Sequence, residues 1–371
     1  MSLLFTRFPR LRGRLPFRAL GSFPTALEPL PGLCSPKVDL WVKREDQAGT
    51  LYGGNKVRKL ELLLGDERID ERSDELPGQT GASPGKPRLL TLGAWGSNHA
   101  LAVALYGQAL GLRVDTVLFP QPLTAETAPY LQRQLAGQLG AEARLWPSQT
   151  LVGMVPMYLR AWLGEPGPVL TIPPGGSSTA GVLGWVAGGL EIAEQLTQTR
   201  QPPFDVVYVT VGTGGTAAGL WLGLGQAAKT LAAIRVVPWP VASELGVRML
   251  AKKTQRFLQQ LAGESLTPQP RLSVDGRYVG PGIGYGVVTD ASRRAVERAR
   301  ACGMTLETTY TGKTLAALLD AADSGALDGK RVLFINTMSS VDLSALRARA
   351  DLTKLPAWLG RSLAAPTPIR L

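Results

Sequence analysis

Two glycines, an asparagine and a lysine open the segment of this 371-residue chain best suited to covalent chemistry, Tyr52-Gly53-Gly54-Asn55-Lys56-Val57-Arg58-Lys59-Leu60-Glu61. The glycines free the backbone to turn sharply. Asn55 can cap the helix that follows, which places Lys56 in the first helical turn. The partial positive charge of a helix N-terminus lowers an amine's pKa, and a lysine that is partly neutral can attack an aldehyde to form a Schiff base. The same spacing equally describes a capped surface helix with a solvated lysine, so a second chemical signal is needed.

Gly212-Thr213-Gly214-Gly215-Thr216 supplies one. It follows an apolar strand and precedes a helix, so glycine N–H groups and two threonine hydroxyls can cradle a phosphate. Gly212-x-Gly214-x-x-Ala217 also fits the looser form of a dinucleotide fingerprint. That reading requires an acidic residue about 20 positions on, at the end of the next strand. Ile234-Arg235-Val236-Val237-Pro238-Trp239 contains none. The loop therefore favours a mononucleotide-like phosphate, and an NAD-dependent oxidoreductase is the alternative of another class. Gly93-Ala94-Trp95-Gly96-Ser97-Asn98-His99-Ala100 is a further strand-to-helix turn, in which Ser97 can cap the helix and the helix start can hold an anion such as a carboxylate. Tyr285 lies between Gly284 and Gly286, and Tyr310 heads Tyr310-Thr311-Gly312-Lys313. A tyrosine flanked by glycines is easily approached by a ligand and can transfer a proton if its pKa is lowered; either could also be a packed aromatic. Asn336-Thr337-Met338-Ser339-Ser340 follows an apolar strand, where parallel-sheet ligands bind, so Thr337 or Ser339 can reach a ring nitrogen.

Composition narrows the field. His99 is the one histidine, so a His-rich zinc site within one chain is impossible and no metal site is expected. Any acid–base chemistry falls to Lys, Tyr or carboxylates. Cys34 and Cys302 form no CxxC pair, which suggests neither a disulfide framework nor a thiolate metal site. The net charge of +11 is spread along the chain without a basic helix, and reads as a solvated surface, not a nucleic-acid interface. No apolar run approaches the roughly 20 residues of a membrane span. The first twenty residues hold five Arg and no acid, but Pro9 and Pro16 interrupt an amphipathic targeting helix. The expected compartment is cytoplasmic.

The elements that must position these residues alternate, as in a parallel α/β sheet. The pattern predicts strands over 39–43, 88–92, 113–119, 168–172, 204–211, 234–237 and 331–335. It predicts helices over 55–69, 98–110, 128–139, 179–196, 216–229 and 291–301. Residues 71–87 are polar and rich in Gly and Pro, and read as a surface loop. At 371 residues, two packed cores are expected.

Taken together, these segments resemble the 1-aminocyclopropane-1-carboxylate deaminase / D-cysteine desulfhydrase family, of the tryptophan-synthase-β-like, fold type II pyridoxal-phosphate enzymes. The likeness runs in colinear order from about residue 23 to 343. Lys43-Arg44-Glu45-Asp46 followed by Gly53-Gly54-Asn55-Lys56-x-Arg58-Lys59-Leu60-Glu61 carries it most specifically. Ser97-Asn98-His99, the glycine loop, Gly284-Tyr285-Gly286 and Tyr310-Thr311-Gly312-Lys313 add to it. The resemblance implies an α/β fold with two domains of parallel sheet flanked by helices. The large cofactor domain would comprise 1–52 and 165–371, and a small inserted domain 53–164. It implies pyridoxal 5'-phosphate on Lys56, which would also move a proton, with Asn55 alongside. Gly212, Thr213, Gly214, Gly215 and Thr216 would form the phosphate cup. Asn98 would sit beside the phenolic oxygen and Ser97 near the substrate carboxylate. Tyr285 and Tyr310 would be the active-site tyrosines, and Thr337 would face the pyridine nitrogen. The implied reaction is α,β-elimination and deamination of a small amino acid of the D-cysteine type, giving pyruvate, ammonia and sulfide. The alternatives are 1-aminocyclopropane-1-carboxylate deamination and a non-catalytic pyridoxal-phosphate-binding protein. Family members with desulfhydrase activity end in His-Thr-Gly-Gly where this chain has Asn336-Thr337-Met338-Ser339, so Met338 reshapes the expected pocket. A homodimer is expected by the same resemblance.

Overall fold

The computed structural model describes residues 2–66, 69, 87–165, 167–280 and 284–366. It divides into two compact units. The larger comprises Met1–Leu62 with Ser177–Val341, the smaller Leu63–Gly176 with Asp342–Leu371.

The larger unit holds strands β1 (Leu27–Pro29), β2 (Asp39–Lys43), β7 (Phe204–Val211), β8 (Ala228–Arg235), β9 (Arg271–Asp275) and β10 (Arg331–Ile335). They form one sheet in the order β1-β2-β10-β7-β8-β9, with β1 antiparallel to β2 and the remaining pairs parallel. Its helices are α1 (Leu3–Arg7), α2 (Val57–Leu63), α6 (Thr179–Gln198), α7 (Gly215–Gly223), α8 (Glu244–Ala262), α9 (Asp290–Ala301) and α10 (Thr311–Asp323). Side chains alternate across a strand, and here both faces are apolar. Val207, Val209, Val211, Leu333 and Ile335 pack into a core with α1, α6, α7 and α8. Tyr208, Val332, Phe334, Leu40 and Val42 pack the opposite way with α9 and α10. Burial on both faces is what a parallel sheet covered by helices requires.

The smaller unit holds β3 (Arg88–Ala94), β4 (Val114–Phe119), β5 (Arg144–Pro147) and β6 (Val169–Ile172) in the parallel order β5-β4-β3-β6. Its helices are α3 (Asn98–Ala109), α4 (Ala128–Gly140), α5 (Met154–Leu163), α11 (Ser344–Ala348) and α12 (Ala357–Ala364). Leu355 and Leu359 pack with Trp95, Leu131 and Leu135. No helix among the described residues is long and apolar enough to cross a membrane.

Several expectations shift. The division falls after residues 62 and 176, not 52 and 164, and residues 342–371 join the smaller unit. Arg58 explains the first boundary: its guanidinium is buried in ion pairs with Glu45 and Glu191, which keeps α2 with the large sheet. The apolar face of α12 explains the last. Helix α2 spans Val57–Leu63, well short of 55–69. The helix expected over 216–229 is shorter: α7 ends at Gly223, Gly225–Ala227 form a single 3-10 turn, and residues 228–229 already belong to strand β8, which pairs between β7 and β9. The expected loop at 71–87 lies outside the described residues apart from Pro87.

Candidate active site

The loops at the carboxyl ends of β10 and β7, and the turn before α2, bring the site residues of the larger unit together. Gly53 and Gly54 lie against the chain beyond β10. The Gly53 N–H donates to the Ser339 hydroxyl at 2.9 Å, and the Asn55 N–H to the Thr337 carbonyl at 3.2 Å. Gly54 has φ +83°, and a Cβ there would come within 2.6 Å of the Thr337 carbonyl oxygen, so only glycine suits the turn. The approach fixes Lys56 immediately before α2, one residue outside the helical turn expected for it. Asn55 does not cap α2. Its Nδ2 donates to Thr216 Oγ1 at 2.9 Å, and its Oδ1 accepts from Lys56 Nζ at 3.0 Å. The pKa of the Lys56 amine is pulled down to about 8, and the cause is burial.

The glycine loop leads directly into α7. Gly214 is the N-cap, with φ +87° and no side-chain cap bond, although Gly214, Gly215 and Thr216 are all buried. The first N–H groups of a helix have no intrahelical partner, and a buried start without a cap needs one from elsewhere. The groups around it are donors. Ser177 Oγ lies 2.6 Å from Thr213 Oγ1, and Lys59 Nζ donates to Ser177 Oγ at 3.4 Å. Burial, then the nearby Lys56, holds the Lys59 ammonium well below the usual lysine range. Amide N–H groups, hydroxyls and an ammonium suit a phosphate dianion.

Tyr285 and Tyr310 meet edge-on, ring centroids 5.9 Å apart, with their hydroxyls hydrogen-bonded. The Tyr310 ring edge lies 3.9 Å from where a Cβ on Gly212 would be, which places it beside the glycine loop. Burial pushes the Tyr285 hydroxyl up to about 12; the bond to Tyr310 opposes this and the Glu307 carboxylate adds to it. Glu307 accepts from the N–H groups of Thr309 at 2.6 Å, Tyr310 at 3.0 Å and Thr311 at 2.8 Å, and so caps α10 where Tyr310 begins it. Thr337 is buried beyond β10, and its neighbour Met338 is half-buried.

Ser97 and Asn98 belong to the smaller unit. Ser97 Oγ caps α3 by accepting from the Ala100 N–H at 3.2 Å. Asn98 Oδ1 accepts from Tyr130 Oη and Gln134 Nε2, both at 3.1 Å, which fixes the amide's orientation. His99 is a packed residue. The Thr91 hydroxyl gives its one proton to the Ile172 carbonyl, so His99 Nε2–H donates to Thr91 Oγ1 at 3.0 Å.

Thus the structure brings Lys56, Asn55, the 212–216 loop, Tyr285, Tyr310 and Thr337 together within one unit. Lys59, Ser177 and Glu307 had no predicted role. Lys59 was findable, three residues beyond Lys56 and so on the same helical side. Ser177 stands in a Gly-Gly-Ser-Ser-Thr run before α6, a readable helix start.

Comparison with known proteins supplies the family. A Pyrococcus abyssi protein provisionally named 1-aminocyclopropane-1-carboxylate deaminase is 32% identical over 344 residues, covering 90% of this chain and 92% of its own. The D-cysteine desulfhydrase of Salmonella paratyphi A is 31% identical over 340 residues, covering 90% and 94%. A crystal structure described as an ACC deaminase homologue superposes with a TM-score of 0.68 at 28% identity, over 95% of this chain and 99% of that one. The Solanum lycopersicum threonine deaminase isoform 2, at 17% identity and TM-score 0.54, shares the fold. The family model for pyridoxal-phosphate dependent enzymes matches residues 19–337, and with the buried lysine and the uncapped glycine loop already in place, the chain belongs to that family.

Proposed function

We propose that this enzyme carries out α,β-elimination on a small amino acid of the D-cysteine type, releasing pyruvate, ammonia and sulfide. The observation that carries the reading is the Lys56 amine, poised near pH 8 by burial and hydrogen-bonded to Asn55, which in turn bonds Thr216 of the glycine loop. Pyridoxal phosphate, when bound, supplies the electron sink for the reaction. Lys56 would hold it covalently, and Gly212, Thr213, Gly214, Gly215, Thr216 and Lys59 would hold its phosphate. By family resemblance, Asn98 would serve its phenolic oxygen and Ser97 the substrate carboxylate. Thr337, a neutral hydroxyl, is assigned to the ring nitrogen.

In the elimination itself, the substrate's amine would take the lysine's place, and the freed neutral Lys56 amine would accept the substrate's Cα proton. The Cβ–S bond then breaks, and the departing thiolate takes a proton from the Tyr285–Tyr310 pair. The hydroxyl-to-hydroxyl contact lets either ring donate while the other stabilises the charge left behind. Water converts the released enamine to pyruvate and ammonia. A cytoplasmic homodimer is part of this proposal. The free thiols Cys34 and Cys302 support the reducing compartment, and the exposed residues Val155, Leu159 and Leu163 of α5, with Val152 in the turn before it, support an interface. Sedimentation equilibrium reporting a monomer would remove the dimer.

The test is the visible spectrum of the purified enzyme with and without D-cysteine. A cofactor band that shifts with D-cysteine while sulfide appears is the expected result, and Lys56→Ala loses the band. A band indifferent to D-cysteine would overturn the substrate class. 1-Aminocyclopropane-1-carboxylate, which has no Cα proton to remove, is the comparison substrate. Retention of the band in Lys56→Ala would overturn the lysine assignment.

A further inference from the structure

Lys313 closes the Tyr310-Thr311-Gly312-Lys313 motif, and the reaction above gives it no role. It lies on α10 three residues beyond Tyr310, and its side chain is completely buried. Among the described residues its hydrogen-bond partners are two backbone carbonyls, Val279 O at 2.5 Å and Gly284 O at 3.2 Å. Burying an ammonium is costly, and an apolar side chain would fill the volume without that cost. Burial does pull Lys313 down to about 8, only partly offset by the Glu307 carboxylate. What an apolar side chain could not do is satisfy two buried carbonyls at once. Gly284, with φ +70°, immediately precedes Tyr285, and its carbonyl shares a planar peptide unit with the Tyr285 N–H, so holding that carbonyl orients the backbone of the tyrosine.

The same helix holds the other tyrosine. Glu307 caps α10 through the Thr309, Tyr310 and Thr311 N–H groups. The helix is tied to β7, the strand leading into the glycine loop, by Thr314 and Thr210 hydroxyls 2.6 Å apart. Both tyrosines are therefore tied to the start of α10, the backbone of Tyr310 by Glu307 just before the helix and the backbone before Tyr285 by Lys313 within it.

We propose that Lys313 is a positioning residue that fixes Tyr285 against Tyr310 by clamping the Val279 and Gly284 carbonyls. The kinetic part of this inference rests on the elimination reading; the clamp itself does not. The test uses the holoenzyme with Lys313→Met, which keeps the length without donors, and Lys313→Gln, which keeps N–H donors without the charge. Hydrogen exchange measured by mass spectrometry should rise about tenfold or more in the peptide containing Tyr285 of Lys313→Met, and stay unchanged in the peptide containing Lys56. With D-cysteine, kcat should fall about 10²-fold at nearly constant KM, the effect of a reacting group displaced by about 1 Å. Lys313→Gln should recover about tenfold of that loss. In a Tyr285→Phe background, Lys313→Met should cost less than about threefold, because residues that act through one another are not additive.

Unchanged exchange at Tyr285, a full penalty in the Tyr285→Phe background, or loss of the cofactor band would each overturn the proposal. Failure of both variants to accumulate as folded holoenzyme would also overturn it, by making Lys313 a folding residue. A wild-type enzyme inactive on D-cysteine would remove the substrate reading, while the exchange result would still decide the clamp.

Discussion

Arg58→Met is the perturbation whose cost can be worked most directly from the structure. Arg58, Lys43, Glu45 and Glu191 form a buried cluster of two cations and two anions. Arg58 donates from Nε to Glu45 at 2.8 Å, from Nη1 to Glu191 at 3.1 Å, and from Nη2 to both carboxylates at 2.7 and 2.9 Å. Lys43 Nζ donates to Glu191 at 2.6 Å. Burial works against the Arg58 charge, but Glu45 and Glu191 outweigh it and raise the pKa. Methionine fills much of the volume but removes all four of these hydrogen bonds and leaves two buried carboxylates sharing Lys43. Breaking a buried pair from one side costs about 3–5 kcal/mol, mostly the unpaired charge left behind. At about 2–4 °C per kcal/mol, the melting temperature should fall by about 6–20 °C. Arg248→Met is the control, since its pair with Glu244 is about two-fifths exposed on each side and contributes under about 1 kcal/mol. Calorimetry at one scan rate on both variants decides the matter. Arg58→Met melting within about 3 °C of Arg248→Met would refute the account of what holds α2, and with it Lys56, on the sheet.

Two more predictions follow from the same helix and its approach. Glu61 accepts from the Leu20 and Gly21 N–H groups at 3.1 and 3.3 Å, and burial pushes its carboxyl from 4.5 up to about 7 against those bonds. A raised carboxyl pKa favours the protonated native state, so its contribution is complete below pH 4.5 and is lost as pH rises through about 7, a total of about 3 kcal/mol. Glu61→Gln keeps an acceptor for both N–H groups, so it should flatten the pH dependence and exceed wild-type stability at about pH 8. Urea midpoints across the range measure it, and parallel wild-type and variant curves would refute it. Gly53→Ala would drive a Cβ onto the Asp46 carbonyl oxygen, backbone against backbone, so nothing flexible can yield. The turn carrying Lys56 must shift, and cofactor affinity measured by equilibrium dialysis should weaken about 10–100-fold, corresponding to about 1–3 kcal/mol of overpacking; unchanged affinity would count against the turn as the source of Lys56 placement.

What the sequence made legible was chemistry written locally. The lysine behind paired glycines, the glycine loop after β7 and the tyrosine between glycines all stand where a single stretch of chain determines them. The strands over 39–43, 204–211 and 331–335 were legible because each is apolar on both faces. Features that depend on distant partners were not. Asn55 is a good cap by type, yet it bonds Thr216, 161 residues on. Lys56 was expected to owe its lowered pKa to a helix end; burial provides it instead. Helix α10 is buried on nearly every side from Thr311 to Leu319, so it shows no amphipathic stripe by which to recognise it. The alanines around 227–233 favour helix by propensity, but strand pairing on both sides overrides it in β8. Glu307 and Lys313 look like surface charges in the sequence, because nothing local records that their partners are backbone groups.

The helix starts themselves separate what the fold supplies from what it must receive. Helices α3, α6, α8 and α9 are capped by their own Ser97, Ser178, Ser243 and Thr289. Helix α10 has an anion built in, the Glu307 carboxylate. Helix α7 has neither, although its start is buried and Lys59 stands beside it. A carboxylate placed there by the sequence would satisfy those N–H groups, and would then repel any phosphate brought to the same point. The difference follows from what each helix carries. The backbone of Tyr310 is held by Glu307, so its helix is closed by a residue of the chain. The loop before α7 instead combines glycines, hydroxyls and the buried Lys59 amine, and under the proposed function the negative charge would come from the phosphate of the cofactor.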